Sequence, residues 1–246
     1  MTLARHSSRV IRRVVLPPDA PNWKSYWILL LPILMILFQL IPLGIPIPGV
    51  RPTLAGALTW AMAADLATVG VACLFVAGEP GNRFVRLGLT VPRRKRDLTL
   101  LPIIGGALSF AALTLADALY SILTGGQGPP PQAVAQALSN SPGLGLRMLA
   151  IAAVVLVAPF SEEIVFRGVS FRGLRRRLGF PLSAMVSACL FSMAHLDLPH
   201  AIQLIAVGTV LAWTTERSGS ILPGMILHAG INLSSLVLIW KPDLLG

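Results

Sequence analysis

The sequence predicts an all-α integral membrane bundle of about seven crossing helices, its N-terminus inside, and three observations carry that expectation. Apolar residues make up 54% of the chain and charged ones only 12%, where a soluble domain carries about a quarter. The apolar residues lie in long runs, such as 66–77, 148–160 and 221–240, too continuous for the one-sided stripe of a soluble helix. The basic residues fall in short tracts between those runs, as the positive-inside bias requires.

In chain order, residues 1–25 form a basic cytoplasmic segment carrying Arg5, Arg9, Arg12, Arg13 and Lys24. The apolar stretch after it is too long for the h-region of a cleavable signal, so it reads as a retained first span over 26–48. Pro32, Pro42, Pro46 and Pro48 make that span irregular and its last turn non-helical. A second span covers 54–77 and a third 98–123, with a basic connector between them. Residues 124–145 contain Gly-Gly-Gln-Gly-Pro-Pro-Pro and no charge. They read as an outer connector with a short surface helix over 132–139, a lid being the alternative. Spans four to seven cover 146–177, 180–198, 200–216 and 220–240. The chain thus divides into 1–25, three helices with their outer loop over 26–145, and a helical core over 146–246.

Orientation follows from Lys and Arg. With the N-terminus inside, inner segments hold 16 of the 20 and outer segments 3 (Arg51, Arg147 and Lys241), Arg167 lying within a span. An N-in, C-out arrangement is expected. Richness in Ala, Arg, Gly and Leu points to a bacterial cytoplasmic (inner) membrane. The charge of +10 belongs to this asymmetry; no nucleic-acid motif accompanies it, so no nucleic-acid partner is expected. Cys73 and Cys189 both fall in apolar runs and read as small buried hydrophobes.

Ionisable groups inside a bilayer each cost at least about 2.5–3.5 kcal/mol, so their presence needs a reason. Span four carries Glu162, Glu163 and Arg167 amid apolar residues. Glu163 and Arg167 are i, i+4 neighbours and can pair, while Glu162 points about 100° away, towards a cavity. Span five ends at Phe191 and His195; span seven holds His228 and Asn232 on one face. Counted at about 1.5 Å per residue, Glu162 lies roughly 22 Å from Arg177, and His195 roughly 21 Å from Pro181. His228 and Asn232 lie roughly 14 and 20 Å from Gly219 on the same count. The four groups reach one layer, which points to one shared site. Asp65, Gln39 and Asp117 read as helix-contact groups, Asp197 as an interface residue, and His6 and His200 as terminal and loop residues.

Glu-Glu-x-x-x-Arg (Glu162, Glu163, Arg167), Phe-x-x-x-His (Phe191, His195) and His-x-x-x-Asn (His228, Asn232) resemble, in order and spacing, the motifs of the CPBP family. That family contains type II CAAX prenyl endopeptidases and bacteriocin-immunity-type membrane proteases. The resemblance covers about residues 147–240 and implies an intramembrane endopeptidase acting on a membrane-associated or prenylated-type peptide or protein. It implies that Glu162 and His195 activate water, and that His228 and Asn232 stabilise the oxyanion. Glu163, Arg167 and Phe191 then support the site. Members are also described as metalloproteases, and Glu162, His195 and His228 would supply a His₂Glu zinc set. Metal-independent glutamate chemistry is the expectation and zinc the alternative. A non-enzymatic immunity or scaffold protein, and a proton-coupled transporter using the carboxylates as a relay, are the competing functions. The sequence does not specify an oligomeric state.

Overall fold

The structure is a computed structural model that describes residues 25–44, 53–77, 81–139 and 143–241. Among the described residues it is wholly helical. α1 (Ser25–Gly44) and α2 (Leu54–Ala77) come first, then the short α3 (Arg83–Leu87), α4 (Asp97–Leu123) and the short α5 (Ala133–Ser139). The long α6 (Leu144–Arg175) follows, and then α7 (Phe180–Ala194), α8 (Ala201–Ser218) and α9 (Leu222–Trp240). Helices stand at all seven predicted spans. Five of them (α2, α4, α6, α8 with the turn before it, and α9) are long and apolar enough to cross a membrane. The apolar stretches of α1 and α7, Ile28–Leu40 and Phe180–Ala194, are shorter.

Two expectations change. The first span stays helical to Gly44 through Pro32 and Pro42; residues 45–48 lie outside the described residues. Each proline lacks an N–H, which strips the carbonyl four residues earlier of its donor, and another helix supplies one. Ser170 Oγ of α6 donates to Ile28 O at 2.8 Å, and Trp60 Nε1 of α2 donates to Phe38 O at 2.9 Å. The prolines therefore tie α1 to its neighbours instead of ending it. The fifth span stops short of 198. His195 caps α7, and the left-handed Leu196 (φ 52°) turns the chain into a 3₁₀ turn, Leu198–His200, that leads into α8.

α6 carries two wide, π-helical stretches, Ile151–Val157 and Glu163–Phe171, around an α-helical turn at Ala158–Glu162. Its second half is fully enclosed by α1, α2, α7, α8 and α9. The main core lies there, with Leu31 and Met35 of α1, Ala72 and Val76 of α2, Val165, Phe166 and Val169 of α6, and Phe191 of α7. Large apolar side chains such as Leu74, Phe110, Leu115 and Ile122 point outwards; a soluble protein would hide them, and a bilayer does not require it.

Among the described residues, two of the basic tracts assigned to one face meet. Arg172 of α6 donates to Val85 O and Arg86 O at the end of α3, at 3.2 and 3.1 Å. Arg175 makes a two-pronged pair with Glu216 of α8, at 2.9–3.1 Å. Ile221 N, at the turn into α9, donates to Gly88 O at 3.0 Å. At the opposite ends of α6 and α9, the Arg147 guanidinium lies 5.5 Å from the Trp240 ring centre. α5 packs on α9 beside them, as an ordered turn of helix where the surface helix was expected. Cys73 and Cys189 are free thiols.

Candidate active site

Pro159 shapes the helix that carries the acids. In the π-helical stretch each N–H reaches back five residues, as Ala158 N does to Ala153 O. Pro159 has no N–H to give Val154 O, and Asn232 Nδ2 of α9 donates to that carbonyl instead, at 2.7 Å. A second wide-turn carbonyl, Phe166 O, takes the Ser187 hydroxyl of α7 at 2.8 Å. Wide turns of this kind recur at functional sites because they leave backbone groups free to bind across helices. Glu162 closes the central α-helical turn and Glu163 opens the second wide stretch, both buried.

Glu163 is held from three sides. Arg167 Nη1 donates to its Oε1 at 2.8 Å, both side chains being 0% exposed. His228 Nδ1 approaches the same oxygen at 3.3 Å; a carboxylate only accepts, so this nitrogen carries the proton. Gly224 of α9 makes room for the other oxygen, since a Cβ there would stand 2.8 Å from Glu163 Oε2. The second guanidinium arm, Arg167 Nη2, donates to Gly208 O of α8 at 3.1 Å. The remaining imidazole nitrogen of His228 faces the neighbouring acid, with Nε2 3.7 Å from Glu162 Oε2. Glu162 Oε2 is buried and accepts no hydrogen bond. Both acids thus turn to His228, whereas separate faces were expected.

Phe191 is the partition of the site. Its ring lies 4.6 Å from the Arg167 guanidinium, 4.6 Å from the His195 ring and 5.7 Å from the His228 ring. It also meets Phe166 edge-on at 5.4 Å. His195 Nδ1 sits 2.9 Å from Phe191 O; the carbonyl accepts, so Nδ1 carries a proton. No ion pair or hydrogen bond joins His195 to Glu162 among the described residues.

A pocket of about 350 Å³ is lined by His195, His228, Asn232 and Phe191, together with Asp117 of α4, Gln203 of α8, and Pro129 and Gln132 of the segment before α5. It lies against the 124–132 connector, at the end of the bundle away from the basic tracts. Glu162 stands behind His228 and does not line it. Two pairs on its wall escaped the sequence reading. Gln203 Nε2 donates to Asp117 Oδ1 at 2.9 Å, the helix contact expected for Asp117. His200, read as a plain loop residue, pairs with Asp197 at 2.9 Å and faces the pocket. Asp197-x-x-His200, directly after His195, was the available signal. Asp65 of α2 is buried with one oxygen unpartnered, within electrostatic reach of Glu162. Gln39 is half-buried on α1; His6 lies outside the described residues.

The zinc set held as the alternative is not gathered in this arrangement. Zinc donors lie about 2.0–2.2 Å from the metal and close round it. Here Glu162 Oε2 and His228 Nε2 face each other at 3.7 Å, and among the described residues no three His, Cys, Asp or Glu side chains gather for a metal.

Residues 144–234 match the family described as type II CAAX prenyl endopeptidase, Rce1-like. The protein named "Putative membrane peptidase YdiL" of Bacillus subtilis (strain 168) is 22% identical over 235 residues, which is 89% of this chain and 91% of that protein. No solved structure matches. The family match falls on α6 to α9, the helices that carry Glu162, His195, His228 and Asn232, and both likenesses are to membrane proteases.

Proposed function

We propose that the chain is a glutamate-dependent intramembrane endopeptidase that hydrolyses a peptide bond of a membrane-associated peptide or protein. The observation that carries this is the Glu162–His228–Glu163–Arg167 chain, buried in a membrane-spanning helix bundle and ending beside a pocket that holds His195 and Asn232. His228 stands between the two acids, with Nδ1 on Glu163 Oε1 and Nε2 3.7 Å from Glu162 Oε2. Donation from Nε2 to a developing oxyanion in a low-dielectric setting requires a proton there, with Glu162 acting as the base.

Glu162, with His195, takes a proton from water as its oxygen adds to the carbonyl carbon. The oxyanion is received by His228 and by the Asn232 N–H not used on Val154 O. Return of the proton to the amine nitrogen breaks the C–N bond and leaves acid and amine. Glu163, Arg167 and Phe191 hold His228 in place. No step passes through a metal. The core of 146–246 carries the chemistry, and 26–145 supplies α2 behind Glu162 and α4 on the pocket wall. We place the N-terminus inside a bacterial inner membrane, with lipid and a membrane-associated polypeptide as partners and no nucleic acid.

The test is cleavage by purified protein in liposomes of a library of membrane-tethered peptides, wild type against Glu162→Ala, with and without a chelator. We expect loss of cleavage in the variant by a factor of about 10² or more, as for a general base removed, and no effect of chelator. Equal cleavage by both proteins overturns Glu162 as the base, absence of cleavage by either returns the chain to the scaffold reading, and chelator-sensitive cleavage turns the chemistry to zinc.

A further inference from the structure

A second concavity, of about 560 Å³, runs between α4 and α9. Its walls include Gly106 and Phe110 on α4 and Ile226 and Gly230 on α9, with no charged side chain among them. It continues into the catalytic pocket, for Leu113, Ile231 and Ser235 line both.

The groove exists because glycine controls the spacing of the two helices. A Cβ on Gly105 would meet Leu227 Cδ2 at 2.5 Å, so α4 and α9 touch there. One residue on, a Cβ on Gly106 would find only Leu227 Cδ1 at 4.0 Å, and one on Gly230 would find nothing within 4 Å. Both helices are of membrane-crossing length, so the groove opens sideways to acyl chains and not to water. Along α4 from Pro102 to Leu113 it is roughly 16 Å long at 1.5 Å per residue. That accommodates about five residues of extended chain at 3.3 Å each. Ser109 lines it with a hydroxyl that is buried and has no hydrogen-bond partner. An acyl chain cannot use that group, whereas a peptide backbone can.

We propose that this groove is the lateral entry of the site, taking an apolar segment of a membrane-embedded polypeptide from the lipid and presenting the adjoining peptide bond to His195 and His228. The proposal rests on the peptidase reading for its chemistry but not for its test. The probe is a single-span poly-leucine–alanine peptide carrying photoactivatable leucines, co-reconstituted with the full chain bearing Glu162→Gln, so that no cleavage is needed. Crosslinks should concentrate on α4 and α9 around residues 106–113 and 226–235. Gly106→Leu and Gly230→Leu, at positions where an added Cβ meets nothing closer than 4.0 Å, should each lower them by about tenfold, the factor given by a modest loss of binding energy. Gly70→Leu, on an open face of α2 with nothing within 4 Å, should leave them unchanged.

Crosslinks spread evenly over the lipid-facing helices, or undiminished by the two leucines, overturn the proposal. So does a result in which a photoactivatable acyl-chain phospholipid labels the groove and the peptide does not. Absence of any cleavage by wild type would instead refute the peptidase reading, while the crosslinking pattern would still decide whether the groove admits a peptide.

Discussion

Arg167 serves Glu163, Gly208 O and the face of Phe191 at once, with no exposure to solvent or lipid. A buried charge is tolerable only while it is paired, and removing one partner strands the other at about 3–5 kcal/mol. Arg167→Leu should therefore lower stability in detergent by about that amount, read from thermal or denaturant unfolding. Arg167→Lys should fall between, since an ammonium lacks the planar fork that reaches two acceptors in fixed directions. Wild-type stability in Arg167→Leu would contradict the pairing. This i, i+4 pair was legible in the sequence because helical spacing alone brings the two residues together. The placement of Phe191 was not. A lone aromatic on an apolar helix reads as core, and only the packing of α6, α7 and α9 puts its ring against one arginine and two histidines. Gln203 was hidden for the same reason, since its partner Asp117 lies on another helix, whereas Asp197 and His200 stand three residues apart in the sequence.

Among the elements, the prolines of α1 and α6 are the instructive ones. Read alone, each proline predicts a break, because it removes a hydrogen bond and crowds the preceding turn. The sequence does not reveal which neighbour will supply the missing donor, since Ser170, Trp60 and Asn232 are far away along the chain. Asn232 carries a double duty, tying α9 to α6 and lining the pocket. Asn232→Leu should lower stability by about 1–3 kcal/mol, the penalty of leaving a buried carbonyl unsatisfied. In a Pro159→Ala background, where the backbone has an N–H to offer, the same change should be milder. The coupling between the two positions should be about 0.5–3 kcal/mol in a double-mutant cycle of unfolding midpoints. Strict additivity would mean that Pro159 has no part in freeing Val154 O. The π-helical turns themselves were not legible: α and π periods differ too little over a single apolar run to be told apart by eye.

For the whole molecule, the apolar runs and the spacing of the basic tracts were enough to read an all-helical membrane bundle. Contacts such as Arg172 to Val85 O and Arg86 O and Arg147 to Trp240 group the tracts by face as expected. Span length was read less well at α7, because hydropathy measures how apolar a stretch is and not where a turn ends it. The central claim is hydrolysis by water activated at Glu162. Its most direct measurement is cleavage of a membrane-tethered peptide in ¹⁸O-labelled water after chelator treatment, with the new C-terminus weighed by mass spectrometry. The account predicts one ¹⁸O in the carboxyl group formed by wild type and no product from Glu162→Gln. Labelled product formed equally well by Glu162→Gln would contradict it.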